Sequence, residues 1–129
     1  MKMYIKSIAV EDQAKALDFY TQKLGFQLKH NIPLGEFNWL TLVSPEEPDG
    51  VELGLEPNQH PATKAYQAAL KADGIPFTAF EVSDIEAEVK RLEALGVVFT
   101  QQPVSGGGAK IAIFDDSCGN LIQLVQLPD

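Results

Sequence analysis

Residues Ile8–Phe26, IAVEDQAKALDFYTQKLGF, and Phe80–Val98, FEVSDIEAEVKRLEALGVV, follow one template. Each reads apolar-x-Val-x-Asp, then an amphipathic helix, then Leu-Gly and the start of a strand. Val10 and Asp12 match Val82 and Asp84 at an offset of 72, whereas Leu24-Gly25 matches Leu95-Gly96 at 71. The first copy therefore carries one more helical residue than the second. The later strands keep the shorter offset: Leu40 and Leu42 match Ile111 and Ile113, and Val51-Glu52-Leu53 matches Ile122-Gln123-Leu124. A repeat of this size is too long for a solenoid unit. It reads as a duplicated βαβββ module.

Each element has a local cause. Alternation over Tyr4–Val10 puts Ile8 and Val10 on one face of a strand and Ile5, Ser7 and Ala9 on the other. Asp12 and Asp84 are N-cap residues, since a carboxylate accepts from the free amides of a first helical turn. The first helix runs to about Lys23 with Ala16, Leu17, Tyr20 and Leu24 inward, and Gly25 follows as a C-cap. Three strands come next, Phe26–Ile32, Phe37–Val43 and Val51–Leu55, with the turn-rich segment 44–50 before the last. The second module repeats the series. Its first strand is Phe77–Val82, and its helix begins at Asp84 with Ile85, Val89, Leu92 and Leu95 inward. Strands Val97–Gln101, Lys110–Phe114 and Leu121–Gln126 follow. Between the modules, Ala62, Tyr66 and Leu70 at four-residue spacing predict a linker helix ending near Gly74.

Short turns between the last three strands leave one helix per module, so helices cover one side of each sheet. The expected architecture is α+β: two tandem βαβββ modules in a cupped eight-strand arrangement. The expected organisation is a single domain over residues 1–129, with module one at 1–57, the linker helix at 58–75 and module two at 76–129. The helix side is core, and the opposite, concave side is where a ligand sits.

The 129 residues are 45% hydrophobic and 22% charged, and the formal net charge is −8. That charge argues against a nucleic-acid or anionic-membrane surface, both of which need clustered Lys and Arg. No apolar run has the length of a membrane span, and the first residues lack a signal-peptide core. The one cysteine, Cys118, excludes an internal disulfide and a CxxC zinc pair. A cytoplasmic protein is the expectation.

The pattern V-x-D-x-x-x-A-L-x-F-Y-x-x-x-L-G-F at Val10–Phe26 resembles the vicinal oxygen chelate superfamily, which includes glyoxalase I, bleomycin-resistance proteins and extradiol dioxygenases. The closing segment Phe114–Leu124 is similar to the superfamily's F-x-D-P-x-G-N-x-I-E-L ending, with Ser117 in place of proline. The resemblance implies the fold, and homodimers for small single-chain members. It leaves activity open, because one scaffold carries many reactions.

The resemblance also implies where a catalytic member holds its metal: one ligand on the first strand of each module, and the Glu of an apolar-Glu-Leu triplet on the last. The resemblance sets the first-strand position seven residues before the V-x-D aspartate, so counting back from Asp12 and Asp84 gives Ile5 and Phe77; the triplets hold Glu52 and Gln123. Ile and Phe supply no donor, and Gln only a neutral carbonyl, whereas a transition metal needs several converging N or O donors. Shifting the count by one residue brings up Lys6 and Thr78; shifting by two brings up Ser7 and Ala79. His30 and His60 are read as exposed. No metal and no cofactor is expected.

Glu52 is left as the candidate catalytic residue, a general base or an anchor for a cationic or hydroxylated ligand. A solvated glutamate paired with Gln123 is the alternative. Ile5, Ser7, Trp39, Thr41, Glu52, Phe77 and Gln123 make up the expected binding face, with Trp39 and Phe77 as apolar walls or, alternatively, packed at a subunit interface. The glycine-rich run 105–108 leads into a strand rather than a helix, so it reads as a mobile rim loop and not a phosphate loop. Four loops, 31–37, 44–50, 58–65 and 104–109, are expected to select the ligand.

Three functions stand at this point. The first is a homodimer that binds a small organic molecule in a metal-free trough. The second is an enzyme of the same superfamily, either a metal-dependent lyase or dioxygenase or a metal-free isomerase using Glu52. The third is a structural or partner-binding homodimer whose trough is filled by side chains.

Overall fold

The computed structural model describes all residues, 1–129. The order of elements is β1 (Ile5–Val10), α1 (Gln13–Asp18), β2 (Gln27–Leu34), β3 (Phe37–Val43), β4 (Glu52–Pro57), α2 (Pro61–Ala72), β5 (Thr78–Glu81), α3 (Ile85–Ala94), β6 (Val98–Gly106), β7 (Ala109–Asp115) and β8 (Leu121–Gln126). Two four-stranded sheets result, with strand orders β1-β4-β3-β2 and β5-β8-β7-β6. This is the α+β repeat. The chain divides into two compact units, 1–65 and 66–129, and the boundary falls inside α2.

In the first unit the chain meanders through β2, β3 and β4, and β4 returns to pair in parallel with β1. Ile8 and Val10 of β1, Leu40 and Leu42 of β3, and Leu53 and Leu55 of β4 are buried with Ala16, Phe19 and Tyr20 from the helical segment. Asp12 caps α1 by accepting from the Lys15 amide. Gln13 then ties the helix to the sheet: its side-chain amide donates to the carbonyls of Asn38 and Leu55 and accepts from the Asn38 amide.

The extra helical residue has a visible home. After Asp18 the helix widens into a π turn over Phe19–Lys23. The Leu24 amide donates five residues back to the Phe19 carbonyl, and the Phe26 amide six back to Tyr20. In the second unit the matching Val97 amide reaches only five back, to Leu92. A π turn absorbs one residue without displacing the downstream chain. Gly25 (φ 86°) and Gly96 (φ 87°) therefore end both helices in the left-handed conformation that glycine tolerates. The widening also buries Phe19, which four-residue spacing from Ala16 passes over, and leaves Leu17 and Leu24 only half-buried.

In the second unit Asp84 caps α3 through the Ala87 amide, and Ile85, Val89 and Leu92 are buried; Leu95 is the C-cap and largely exposed. The expected match of Leu40 and Leu42 with Ile111 and Ile113 is one residue out of phase. Ala112 and Phe114 are the β7 residues that face the core, opposite Leu124 and Ile122. Two irregularities in the β6–β7 ladder accompany the slip, and a one-residue slip exchanges the faces of a strand.

Three of the four expected loops are mostly regular structure. β2 runs on to Leu34 before a Gly35-Glu36 turn, and α2 starts at Pro61. The glycine run closes a hairpin: β6 and β7 meet at Gly106 opposite Ala109, with Gly107 and Gly108 as a two-residue turn at positive φ.

Candidate functional site

Five of the candidate residues lie on the face of the first sheet turned away from its core. Parallel pairing of β1 with β4 sets Ile5 beside Glu52 and Ser7 beside Gly54. Antiparallel pairing sets Thr41 beside Gly54 on β3, and His30 beside Thr41 on β2. One row thus runs Ser7, Gly54, Thr41, His30 across four strands. Trp39 lies two residues along β3 from Thr41, next to Ile32. Ile5, Ser7, Trp39, Thr41 and Glu52 are brought to this one face.

β4 is buried on both sides, and Glu52 is only 5% exposed. Glu52 Oε1 and Thr41 Oγ1 are sealed from solvent and have no hydrogen-bond partner. A buried polar atom left unpaired costs roughly 1–3 kcal/mol, more when charged. The two orphaned atoms lie on neighbouring strands of one face, and each such atom in a folded protein calls for an explanation. Gly54 lies between them in the sheet. A β-carbon there would meet Ile5 Cδ1 at 3.3 Å and Ser7 Oγ at 3.6 Å, so the glycine keeps the floor low beneath Ile5.

A lysine and a histidine face the carboxylate beyond hydrogen-bond reach. Lys29 Nζ is 3.9 Å from Oε2, and His30 Nε2 is 3.9 Å from Oε1. Strand alternation alone does not anticipate this, nor does reading His30 as a surface residue. A bulge between Leu28 and His30 shifts the β2 register, so Leu28 opposes core-facing Leu42 while His30 opposes Thr41. Bulges re-aim side chains in this manner. His30, Lys29 and Gly54 are the site residues that sequence reasoning missed; His60 instead accepts from the Ala62 amide at the start of α2.

The second unit places its candidates differently. Phe77 precedes β5, its amide donates to the Leu121 carbonyl, and its ring meets Tyr66 edge-to-face at 5.7 Å. Gln123 pairs with Ala79 on β5 and Ile113 on β7. Phe77 is therefore not the counterpart of Ile5 in pairing; Ala79 is, two residues on. The closing turn of this unit is held by polar contacts. Asp116 accepts from the amides of Cys118 and Asn120 and from the Asn120 side chain, and Gln67 of α2 donates to Asn120. Ser117 there has φ 61°, which proline cannot adopt. Cys118 is buried in the turn as a thiol.

No three or more His, Cys, Asp or Glu side chains gather as a metal-holding group. No helix is long and apolar enough to cross a membrane.

Comparison with known proteins adds a frame to this geometry. Residues 4–124 match the family model described as the Glyoxalase/Bleomycin resistance protein/Dioxygenase superfamily. The chain is 55% identical to the Bacillus subtilis (strain 168) protein YurT, covering 98% of this chain and 99% of YurT. It is 30% identical to a probable lactoylglutathione lyase of Vibrio cholerae serotype O1, over 92% of this chain and 86% of that one. Among solved structures, TnmS3, an antibiotic binding protein from Streptomyces sp. CB03234, superposes with a TM-score of 0.78 at 26% identity. That match covers 100% of this chain and 97% of TnmS3.

Proposed function

The chain belongs to the Glyoxalase/Bleomycin resistance protein/Dioxygenase superfamily, and we propose that it binds a small organic molecule on the helix-distal face of its first sheet, without a metal ion. The observation that carries this reading is the pair of orphaned buried atoms, Glu52 Oε1 and Thr41 Oγ1, on one face beside Ile5 and Trp39. A ligand that bonds them recovers energy the free protein forgoes. The likeness to an antibiotic binding protein supports the same class of role, which would be sequestration, carriage or sensing in the cytoplasm.

The donor set does not fit a resident divalent metal. Ile5 beside Glu52, and Ala79 beside Gln123, offer no donor. Lys29 stands 3.9 Å from the one carboxylate of the set and opposes a second cation there. A second reading, a lyase, is favoured by the Vibrio cholerae relative; it requires a ligand set that these residues lack. A face filled by the protein's own side chains is disfavoured by the same orphaned atoms.

Homodimerisation belongs to the proposal. The edge strand β2 exposes Leu28 and Leu34, and the edge strand β6 exposes Val98 and Val104. Apolar edges of this kind are covered in stable proteins. Native mass spectrometry of the purified protein reads subunit count, metal and retained ligand together. The expected species is a metal-free dimer that retains or takes up an organic molecule. One tightly held transition metal per subunit, released by Glu52→Ala, would overturn the proposal in favour of the lyase.

A further inference from the structure

We propose that Glu52 and His30 form a hydroxyl-reading clamp, so that the ligand is an alcohol or phenol rather than an amine, carboxylate or phosphate. The inference rests on the small-molecule reading above and names the chemical class for that site.

Glu52 Oε1 is an acceptor without a donor. His30 Nε2 stands 3.9 Å from it, beyond hydrogen-bond reach. One oxygen placed off the line between them, roughly 2.8 Å from each, bridges the gap with roughly a right angle at that oxygen. With the imidazole proton on Nε2, that oxygen must donate to the carboxylate and accept from the ring N–H. A hydroxyl does both.

The competing groups fail on charge or on bonding capacity. An ammonium donates but cannot accept, and it would meet Lys29, whose Nζ is 3.9 Å from Glu52 Oε2. A carboxylate or phosphate accepts but would bring a second anion against a buried one, in a setting where screening is weak. Thr41 Oγ1, opposite His30 in the ladder and also unpartnered, can turn its proton either way and so adds a contact without changing the preference. Trp39 and Ile32, next along the same strands, offer an apolar surface for the ring or chain that bears the hydroxyl.

Entry is explained by the burial pattern. Oε1 is sealed in the free protein, and its neighbour His30 is a 39%-exposed side chain on an edge strand. Rotation of an exposed side chain takes picoseconds to nanoseconds, so the imidazole swings out to admit the hydroxyl and closes on it.

The test uses matched probes: 2-naphthol, 2-methoxynaphthalene and 2-naphthoate, with cyclohexanol and methoxycyclohexane as a saturated pair. Binding is followed in amide-proton spectra of the intact chain through the Thr41 amide and the indole N–H of Trp39, the single tryptophan. Each hydroxyl compound is expected to bind about tenfold or more tighter than its methyl ether, the worth of one charge-assisted hydrogen bond. The naphthoate should be the weakest of its set. Glu52→Gln and His30→Phe should each shrink the hydroxyl preference, read as the ratio of hydroxyl to ether affinity, to about threefold or less. Equal affinity of hydroxyl and ether, or tightest binding of the naphthoate, would overturn the clamp and leave small-molecule binding standing. Silence of Thr41 and Trp39 toward every probe would overturn both.

Discussion

Thr41→Val should make the protein more stable and a worse binder. Thr41 is fully buried on a central strand, and its Oγ1 has no partner. Valine has the same branched shape and suits a strand at least as well, so the substitution removes the unpaired hydroxyl and little else. Burying a hydroxyl without a hydrogen bond costs roughly 1–3 kcal/mol in protein mutational data. A gain of about 1–2 kcal/mol is expected, which for a chain of this size raises Tm by roughly 4–8 °C. Urea unfolding followed by fluorescence of Trp39, two residues away in β3, gives the cleanest reading. The midpoint should rise at unchanged slope. A variant less stable than the parent by about 1 kcal/mol or more would mean that the hydroxyl is bonded in the free protein. The orphaned-atom argument would then fail with it.

Other perturbations test neighbouring features of the structure. Gly54→Ala puts a β-carbon 3.3 Å from the flexible end of Ile5; stability should fall by no more than about 1 kcal/mol, while calorimetric affinity for a bound hydroxyl probe drops as the floor rises. Ser117→Gly should be neutral to about 1 kcal/mol stabilising, because φ 61° strains any side chain, and Ser117→Pro should be strongly destabilising in the same urea assay. The Lys110 ammonium, hydrogen-bonded at 3.0 Å, holds the exposed Glu86 carboxyl below its ordinary range. Its contribution to stability is present above the unfolded-state value and lost as pH falls through the folded one. A carbon-detected titration should show the low inflection, and Lys110→Ala should move it back up.

Much of the fold was legible because its signals are local. Asp12 and Asp84 cap helices through amides three residues away, and Gly25 and Gly96 end them at nearly the same φ. Even the one-residue change of offset had a physical counterpart, the π turn at Phe19–Lys23. Strand faces were less secure, because they depend on register set by bulges. Ile111 and Ile113 look more like core residues than Ala112, yet Ala112 faces the core. The bulge at Lys29 hid the site's second half by turning His30 toward Thr41 and Glu52. Phe77 was placed by counting back from Asp84, which cannot see that β5 and β8 pair two residues away from the β1–β4 register. The orphaned Oε1 and Oγ1 are facts of packing, and no pattern of letters carries them.

The central claim is that the helix-distal face of the first sheet binds organic molecules through its own side chains, with no metal between. The most direct measurement is an amide-proton titration of chelator-treated protein with a small-molecule fragment set. The account predicts that hits shift Ser7, Thr41, Gly54 and the Trp39 indole together, and that adding zinc or nickel changes neither the hits nor their affinities. Hits that appear only after metal is restored, or that shift residues away from this face, would contradict it.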